Sequence, residues 1–226
     1  MKILFGIFAH PDDETFGPSA ALFREARAGT QLHLITLTGG ENGTNLDAEQ
    51  DLGSIRLKEW AAACDMLGAT TKTHLGYIDG QLGNQAMIDI AAKLEEIIKN
   101  TTVNTPADTE IELMTLDMNG MTGHIDHIVA ARATVLAFRR LKATDKRLTR
   151  VRLNCLPDMV VPTANIDWIY QDAGRTASEI NETINGLDMK DEIIKLMETH
   201  HSQRADMEHV LARGDEAFIN YFIDLT

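Results

Sequence analysis

Short apolar runs alternate with longer amphipathic stretches along the first two thirds of the chain. The runs are rich in isoleucine, leucine and threonine and are bounded by glycine or polar residues, which is typical of buried strands. They predict five strands, at 2–8, 31–37, 71–77, 111–116 and 150–156. The stretches between them carry apolar residues at helical spacing, and several end at a glycine. They predict helices at about 18–27, 54–67, 86–99 and 128–141.

Strands separated by helices of this length are typical of βαβ units, which place helices on both faces of a parallel sheet. We therefore predict a Rossmann-like, doubly wound α/β fold with a mainly parallel sheet in the order 3-2-1-4-5. From about Asn165 onward the pattern is mostly helical, most clearly at 190–199. We expect a single domain over 1–226, with its core at about 1–156 and a mostly helical C-terminal segment at about 157–226.

Composition removes several classes of partner. The formal net charge is −13, and no lysine- or arginine-rich run offsets it, which excludes nucleic acid because binding to phosphate backbones needs a basic face. No stretch of about 20 apolar residues is present, so we expect no membrane-spanning helix. The two cysteines cannot form a disulfide framework, which favours a cytoplasmic location. The sequence leaves homo-oligomerisation open.

Two polar clusters follow predicted strands. Positions 9–14 read AHPDDE directly after the first strand, and positions 124–127 read HIDH after the fourth. In the predicted order, strands one and four are neighbours where the winding of the sheet reverses, and ligands bind at the carboxyl ends of strands there. We therefore expect the two clusters to meet in space.

The residue types in these clusters point to a metal ion. Two histidines and a carboxylate with an open fourth position are a common catalytic zinc site, and iron(II) also accepts this set. Zinc lowers the pKa of a bound water and polarises a carbonyl. Of the adjacent Asp12 and Asp13, one can bind the metal while the other takes the proton of water. A remaining histidine can stabilise an oxyanion or protonate a leaving amine.

The same motifs resemble those of the PIG-L/LmbE family of metal-dependent N-deacetylases. AHPDDE at 9–14 and GHIDH at 123–127 carry the resemblance most specifically. The loop TGGENG at 38–43 resembles a further family motif, with one additional glycine. An R-x-x-E pair is present in Arg56 and Glu59, and HHSQ at 200–203 matches the family's late H-x-S-Q. The resemblance extends from residue 1 to about 203.

The resemblance implies a role for each residue of the two clusters. His10, Asp13 and His127 would bind zinc, and Asp12 would be the general base. His124 would stabilise the tetrahedral intermediate and assist departure of the amine. Asp126 would orient a histidine.

Substrate contacts are also implied. Arg56 and Asp79 occupy positions that resemble sugar-hydroxyl contacts in the family. Thr122 stands where some members carry a tyrosine, so a phenol contribution to the oxyanion hole is not expected.

The other histidines have ordinary explanations. His200 and His201 are at least as well explained by an exposed helix end, where basic groups are favoured. We interpret His33, His74 and His209 as structural.

Together these features predict a zinc-dependent hydrolase that removes an acetyl group from an N-acetylglucosamine-type conjugate, a small-molecule substrate. One alternative is an amidase that cleaves a larger acyl group from an amino-sugar conjugate. Another is a metal- or sugar-binding protein without turnover.

Overall fold

A computed structural model describes residues 1–160 and 174–226. These residues contain one seven-stranded sheet in the order β3-β2-β1-β4-β5-β7-β6. Its strands are β1 (Lys2–Phe8), β2 (Gln31–Thr38), β3 (Thr71–Tyr77), β4 (Glu110–Leu116), β5 (Leu148–Cys155), β6 (Glu182–Asn185) and β7 (Ile219–Leu225). The pairs among β1 to β5 are all parallel, so the predicted order 3-2-1-4-5 is confirmed.

Helices cover both faces of the sheet, as the doubly wound pattern predicts. In the described parts of the chain they are α1 (Asp13–Phe16), α2 (Ser19–Arg27), α3 (Leu52–Met66), α4 (Asn84–Thr102), α5 (Gly120–Gly123), α6 (Ile125–Lys142), α7 (Lys190–Glu198) and α8 (Arg204–Leu211). One core layer packs α4 and α6 against the sheet. The other packs α2, α3, α7 and α8 against the opposite face.

The central strand β1 belongs to both core layers. Ile3, Phe5 and Ile7 face the α4 and α6 layer, whereas Leu4 and Phe8 face the α2 and α3 layer. Each of these side chains is buried, which is worth about 1.5–3 kcal/mol per residue. The continuous apolar run that predicted this strand therefore reflects burial on two sides.

The C-terminal segment is less uniformly helical than predicted. It contains α7 and α8, but also β6 and β7, which the helical interpretation missed. β7 pairs antiparallel with both β5 and β6 and so extends the sheet beyond the parallel core. Buried residues alternate with partly exposed ones from Ile219 to Phe222, as in a strand with one covered face. The part of the prediction that concerns 161–173 lies outside the described residues.

The winding of the sheet places the two polar clusters together. β1 pairs with both β2 and β4, and the chain leaves β1 and β4 at the same edge of the sheet.

None of the helices in 1–160 and 174–226 combines the length and the apolar character that a membrane span requires.

Candidate active site

The three predicted metal ligands converge at the carboxyl ends of β1 and β4. The Nδ1 atom of His10 lies 3.0 Å from Nε2 of His127, and that Nε2 lies 3.1 Å from Oδ1 of Asp13. His10 Nδ1 is 3.9 Å from the other Asp13 oxygen. Donor atoms on a tetrahedral zinc ion stand about 3.3 Å apart, given metal–ligand bonds of about 2.0–2.1 Å. The donor set therefore fits a zinc-sized cation.

The chain turns sharply after β1 to bring these groups together. Oδ2 of Asp13 accepts hydrogen bonds from the backbone N–H groups of Ala9, at 3.0 Å, and His10, at 2.9 Å. These bonds fix one carboxylate oxygen and leave Oδ1 directed at His127. Asp12, which immediately precedes α1, has a φ of 118°, in a region that L-residues rarely adopt. Such strain is typical of functional sites.

Hydrogen bonds on the far side of each imidazole select the ring nitrogen that can bind a metal. Nδ1 of His127 lies 3.1 Å from the carbonyl oxygen of Gly120, which makes Nδ1 the protonated atom and leaves Nε2 with its lone pair. Nε2 of His10 lies 2.9 Å from Oδ1 of Asp79, which leaves Nδ1 as the nitrogen available to a metal. Carboxylate–histidine and carbonyl–histidine pairs of this kind orient metal ligands.

The electrostatics of the cluster favour a cation. Burial opposes a charged imidazole at His10, but hydrogen bonds to Asp126 and Asp79, with the charge of Asp13, raise its pKa to about 10. Burial also opposes the charge of Asp13, yet His127 and His10 hold the pKa of that carboxyl well below its usual range. Several buried carboxylates therefore surround His10, and a divalent cation would balance their charge.

Asp126 joins α6 to the loop after β3. Its carboxylate accepts hydrogen bonds from the backbone N–H groups of Gly80, at 2.7 Å, and Leu82, at 3.1 Å. Its Oδ2 also lies 3.4 Å from Nε2 of His10. This geometry fits the histidine-orienting role that the resemblance implies.

Asp79 is engaged on both carboxylate oxygens. One oxygen faces His10, and the other accepts the backbone N–H of Asn42 at 3.0 Å. These contacts favour an orienting role behind the metal site. The predicted contact of Asp79 with a sugar hydroxyl stays a prediction.

His124 lies beside the candidate metal ligands. Its Nδ1 accepts the backbone N–H of Asp126 at 3.1 Å and caps the N-terminus of α6. Burial, with the neighbouring His10 and His127, lowers the pKa of His124. The neutral ring therefore carries its proton on Nε2. Three histidines (His10, His124 and His127) also offer nitrogens within 4.8 Å of one another, but the capping bond of His124 favours Asp13 as the third ligand.

Arg56 lies against the predicted base. Its guanidinium donates to Oδ2 of Asp12 at 2.7 Å and to the carbonyl oxygens of Pro11 and Gly40, each at 2.8 Å. Burial raises the pKa of Asp12 to about 6, although Arg56 opposes this. In this structure Arg56 therefore orients Asp12, and its predicted sugar contact stays a prediction. The loop at 38–43 leaves room for the Arg56 guanidinium, because a Cβ atom at Gly40 or Gly43 would overlap it.

His200 is buried, which corrects the interpretation of an exposed helix end. Its exposed fraction is 1%, and its Nε2 lies 3.0 Å from Oε1 of Glu14. The other Glu14 oxygen accepts the backbone N–H of Asp12 at 3.2 Å. Sequence reasoning missed this contact because His200 and Glu14 are 186 positions apart.

The late motif is tied to the R-x-x-E helix as well. Ser202 donates its backbone N–H, at 2.9 Å, and its hydroxyl, at 2.6 Å, to the carboxylate of Glu59. Gln203 donates to the carbonyl oxygen of Thr44 at 3.2 Å. The C-terminal segment is thereby fixed beside the carboxyl edge of the parallel strands.

A cleft of about 670 Å³ opens over the cluster. Its floor includes His10, Asp12 and His127, and one of its walls is formed by α8 and the residues that flank it. His209, interpreted as structural from the sequence, is one of the residues of that wall. The cleft is large enough for a small organic ligand.

An α/β sheet with a metal-type donor set and a buried base at its carboxyl edge defines a class of candidate hydrolytic enzymes. The family model described as GlcNAc-PI de-N-acetylase (PIG-L) matches residues 5–138, more than half of the chain. The chain belongs to this family.

Individual relatives agree with this assignment. The 1D-myo-inositol 2-acetamido-2-deoxy-alpha-D-glucopyranoside deacetylase of Acidothermus cellulolyticus is 35% identical over 162 residues, which cover 61% of this chain and 53% of the relative. Mycothiol S-conjugate amidase of Streptomyces coelicolor is 28% identical over 162 residues, 63% of this chain and 54% of that protein. The match thus spans about half the length of these curated relatives.

A solved structure shares the fold. N,N'-diacetylchitobiose deacetylase from Pyrococcus horikoshii superimposes with a TM-score of 0.70 at 17% identity, covering 99% of this chain and 83% of the other. At this identity the likeness supports the fold alone.

Proposed function

We propose that the protein is a metal-dependent N-deacetylase that acts on an N-acetylglucosamine-type amino-sugar conjugate. The observation that carries the proposal is the convergence of His10, Asp13 and His127 beside the buried Asp12. The names of the deacetylase relatives support the substrate class. Zinc is the expected ion, with iron(II) as the other cation that accepts these ligands. The proposal includes a cytoplasmic location, which we expect from the sequence.

A divalent cation held by His10, Asp13 and His127 would lower the pKa of a water molecule and polarise the acetamide carbonyl. Asp12 takes a proton from the attacking water, and Arg56 keeps the Asp12 carboxylate turned towards the cleft. The protonated Nε2 of His124 donates a hydrogen bond to the oxyanion. The amide C–N bond then breaks, the water oxygen stays with the acetyl carbon as acetate, and the nitrogen leaves as the free amine after receiving the proton that Asp12 took from the water.

The amidase alternative keeps the same machinery and changes the acyl group. The similarity to mycothiol S-conjugate amidase favours keeping it as a second candidate. The size of the acyl group that the cleft accepts separates the two functions. A third possibility, metal or sugar binding without turnover, predicts no release of any acyl group.

The test is an assay of acid release from N-acetylglucosamine, a panel of its glycosides and analogues with longer acyl chains. We expect acetate release that a chelator stops and added zinc restores. Preferential cleavage of longer acyl groups would favour the amidase. No release from any compound, by protein with one bound metal per chain, would overturn both enzymatic proposals.

A further inference from the structure

The part of the cleft formed by α8 and the residues after it carries ionisable side chains. Asp206, His209, Val210 and Arg213 all line the cleft and follow one another at the spacing of a single helical face. α8 ends at Leu211, so Arg213 lies just beyond the helix. The residues of this face belong to none of the motifs that the sequence analysis recognised, and none of its side chains has a role in the proposed hydrolysis.

Arg213 combines partial burial with the absence of an ion pair among the described residues. Arg56 pairs with Asp12, and Arg204 pairs with Asp47. Over residues 1–160 and 174–226, no carboxylate forms an ion pair with Arg213, and Asp206 on the same face does not reach it. Its buried Nε makes no hydrogen bond to these residues either. Burial alone lowers the pKa of the Arg213 guanidinium, with no acid to oppose the effect.

An unpaired guanidinium in a cleft is costly unless a ligand satisfies it. A buried donor without a partner loses the hydrogen bonds that it made with water. The planar fork of arginine matches the geometry of a carboxylate or a phosphate. The chain carries a net charge of −13, which repels anions, so an anionic ligand needs a local cation such as the Arg213 guanidinium.

The position of Arg213 indicates which part of a substrate it would meet. The acetamide must reach the cluster of His10, Asp13 and His127, with Asp12 beside it. Arg213 lines the same cleft from the C-terminal segment, just after α8, and makes no hydrogen bond or ion pair with that cluster. A group bound there is therefore a different part of the same molecule, the aglycone.

We propose that Arg213 forms an anion subsite that binds a carboxylate or phosphate on the aglycone of the amino-sugar substrate. This inference rests on the proposed deacetylase function and adds to it the charge of the natural aglycone. Arg213 is a specificity-determining residue in this account and takes no part in the bond-breaking step.

Three N-acetylglucosaminides test the subsite: the methyl, the carboxymethyl and the 2-phosphoethyl glycoside. Acetate release is measured for wild type, Arg213→Gln, Arg213→Lys and Arg132→Gln. Arg132 is an exposed arginine of α6, so its variant removes one positive charge away from the cleft. The carboxymethyl and phosphoethyl compounds distinguish the two kinds of anion.

We expect the wild type to prefer one anionic glycoside over the methyl glycoside, with a lower KM. Arg213→Gln should lower kcat/KM for that compound by about tenfold to hundredfold, as expected for a hydrogen bond between charged groups, and leave the methyl glycoside unchanged. Arg213→Lys should retain part of the preference, and Arg132→Gln all of it. Equal losses on all three glycosides, or no anion preference in the wild type, would overturn the subsite.

A binding measurement separates this proposal from the proposed function. If no glycoside releases acetate, deacetylation fails, but calorimetry with the same three compounds still tests Arg213. Tighter binding of an anionic glycoside by the wild type, and its loss in Arg213→Gln, supports the subsite. Equal affinities for all three compounds contradict it.

Discussion

Replacing Arg56 by glutamine should destabilise the protein through the carboxylate that it leaves behind. The Arg56 and Asp12 side chains are only 5% and 10% exposed, and their closest atoms are 2.7 Å apart. Breaking a buried ion pair from one side typically costs about 3–5 kcal/mol, because the remaining charge has no partner. That is a large part of the roughly 5–15 kcal/mol by which a domain is stable.

A double-mutant cycle isolates the ion pair from the other contacts of Arg56. Its bonds to the carbonyl oxygens of Pro11 and Gly40 are lost in both backgrounds and therefore cancel. In an Asp12→Asn background, Arg56→Gln leaves no carboxylate at position 12 without its partner. The double variant should therefore be more stable than the sum of the single effects predicts, by about 1–3 kcal/mol.

Urea unfolding at pH 8, followed by circular dichroism, measures the four proteins of the cycle. Burial raises the pKa of Asp12 to about 6, so the carboxylate is charged at this pH. A chelator is present throughout, which removes any contribution from bound metal. Arg24→Gln serves as the control, because Arg24 and Asp188 pair at 2.6 Å but are 44% and 57% exposed. That change should cost less than about 1 kcal/mol.

Additive effects in the cycle, within about 0.5 kcal/mol, would refute the reasoning that Arg56 neutralises Asp12. The same variant also separates two roles in catalysis. If Arg56 orients the base, Arg56→Gln lowers kcat, whereas a residue that only binds sugar hydroxyls would mainly raise KM.

Two further variants test the surroundings of the site. Asp79→Asn should weaken zinc binding by about 10–100-fold, because it removes the carboxylate behind a metal-binding imidazole. Unchanged zinc affinity with a raised KM would favour a sugar contact of Asp79 instead. His200→Gln tests the pair with Glu14. Burial opposes the charged form of the His200 imidazole, but the carboxylates of Glu14, Asp12 and Glu59 overcome this effect and raise the pKa of His200. The stabilisation by the charged pair is complete below the unfolded pKa of 6.5 and is lost as the pH rises through the folded pKa. Unfolding in chelator should therefore show that the wild type exceeds His200→Gln in stability by more at pH 5.5 than at pH 9. A stability difference independent of pH would contradict this reasoning.

The parallel core was predictable from sequence because its signals are local. A fully buried central strand such as β1 reads as an unbroken apolar run, and the helices that follow show their own spacing. Strand order then followed from the rules of βαβ winding. β6 and β7 were missed because β6 has only four residues and β7 is an antiparallel addition after a helical stretch.

The site was predictable where its residues occupy adjacent positions and not where the fold brings distant ones together. The clusters at 9–14 and 124–127 were visible as motifs, and their meeting followed from the reversal of the winding. The burial of His200 and the contact of Arg56 with Asp12 depend on side-chain packing across long separations. The position of Arg213 in the cleft depends on how the C-terminal segment returns to the sheet.

The central claim is that a metal at His10, Asp13 and His127, with Asp12 as base, hydrolyses an acetamide. It is tested most directly by measuring acetate release and zinc content in the same preparations of wild type and Asp12→Asn. We predict that wild-type activity rises in proportion to bound zinc up to one ion per chain. Asp12→Asn should bind the same zinc and lose about 10²–10⁴-fold in kcat. Activity independent of zinc, or an Asp12→Asn variant as active as the wild type, would contradict the account.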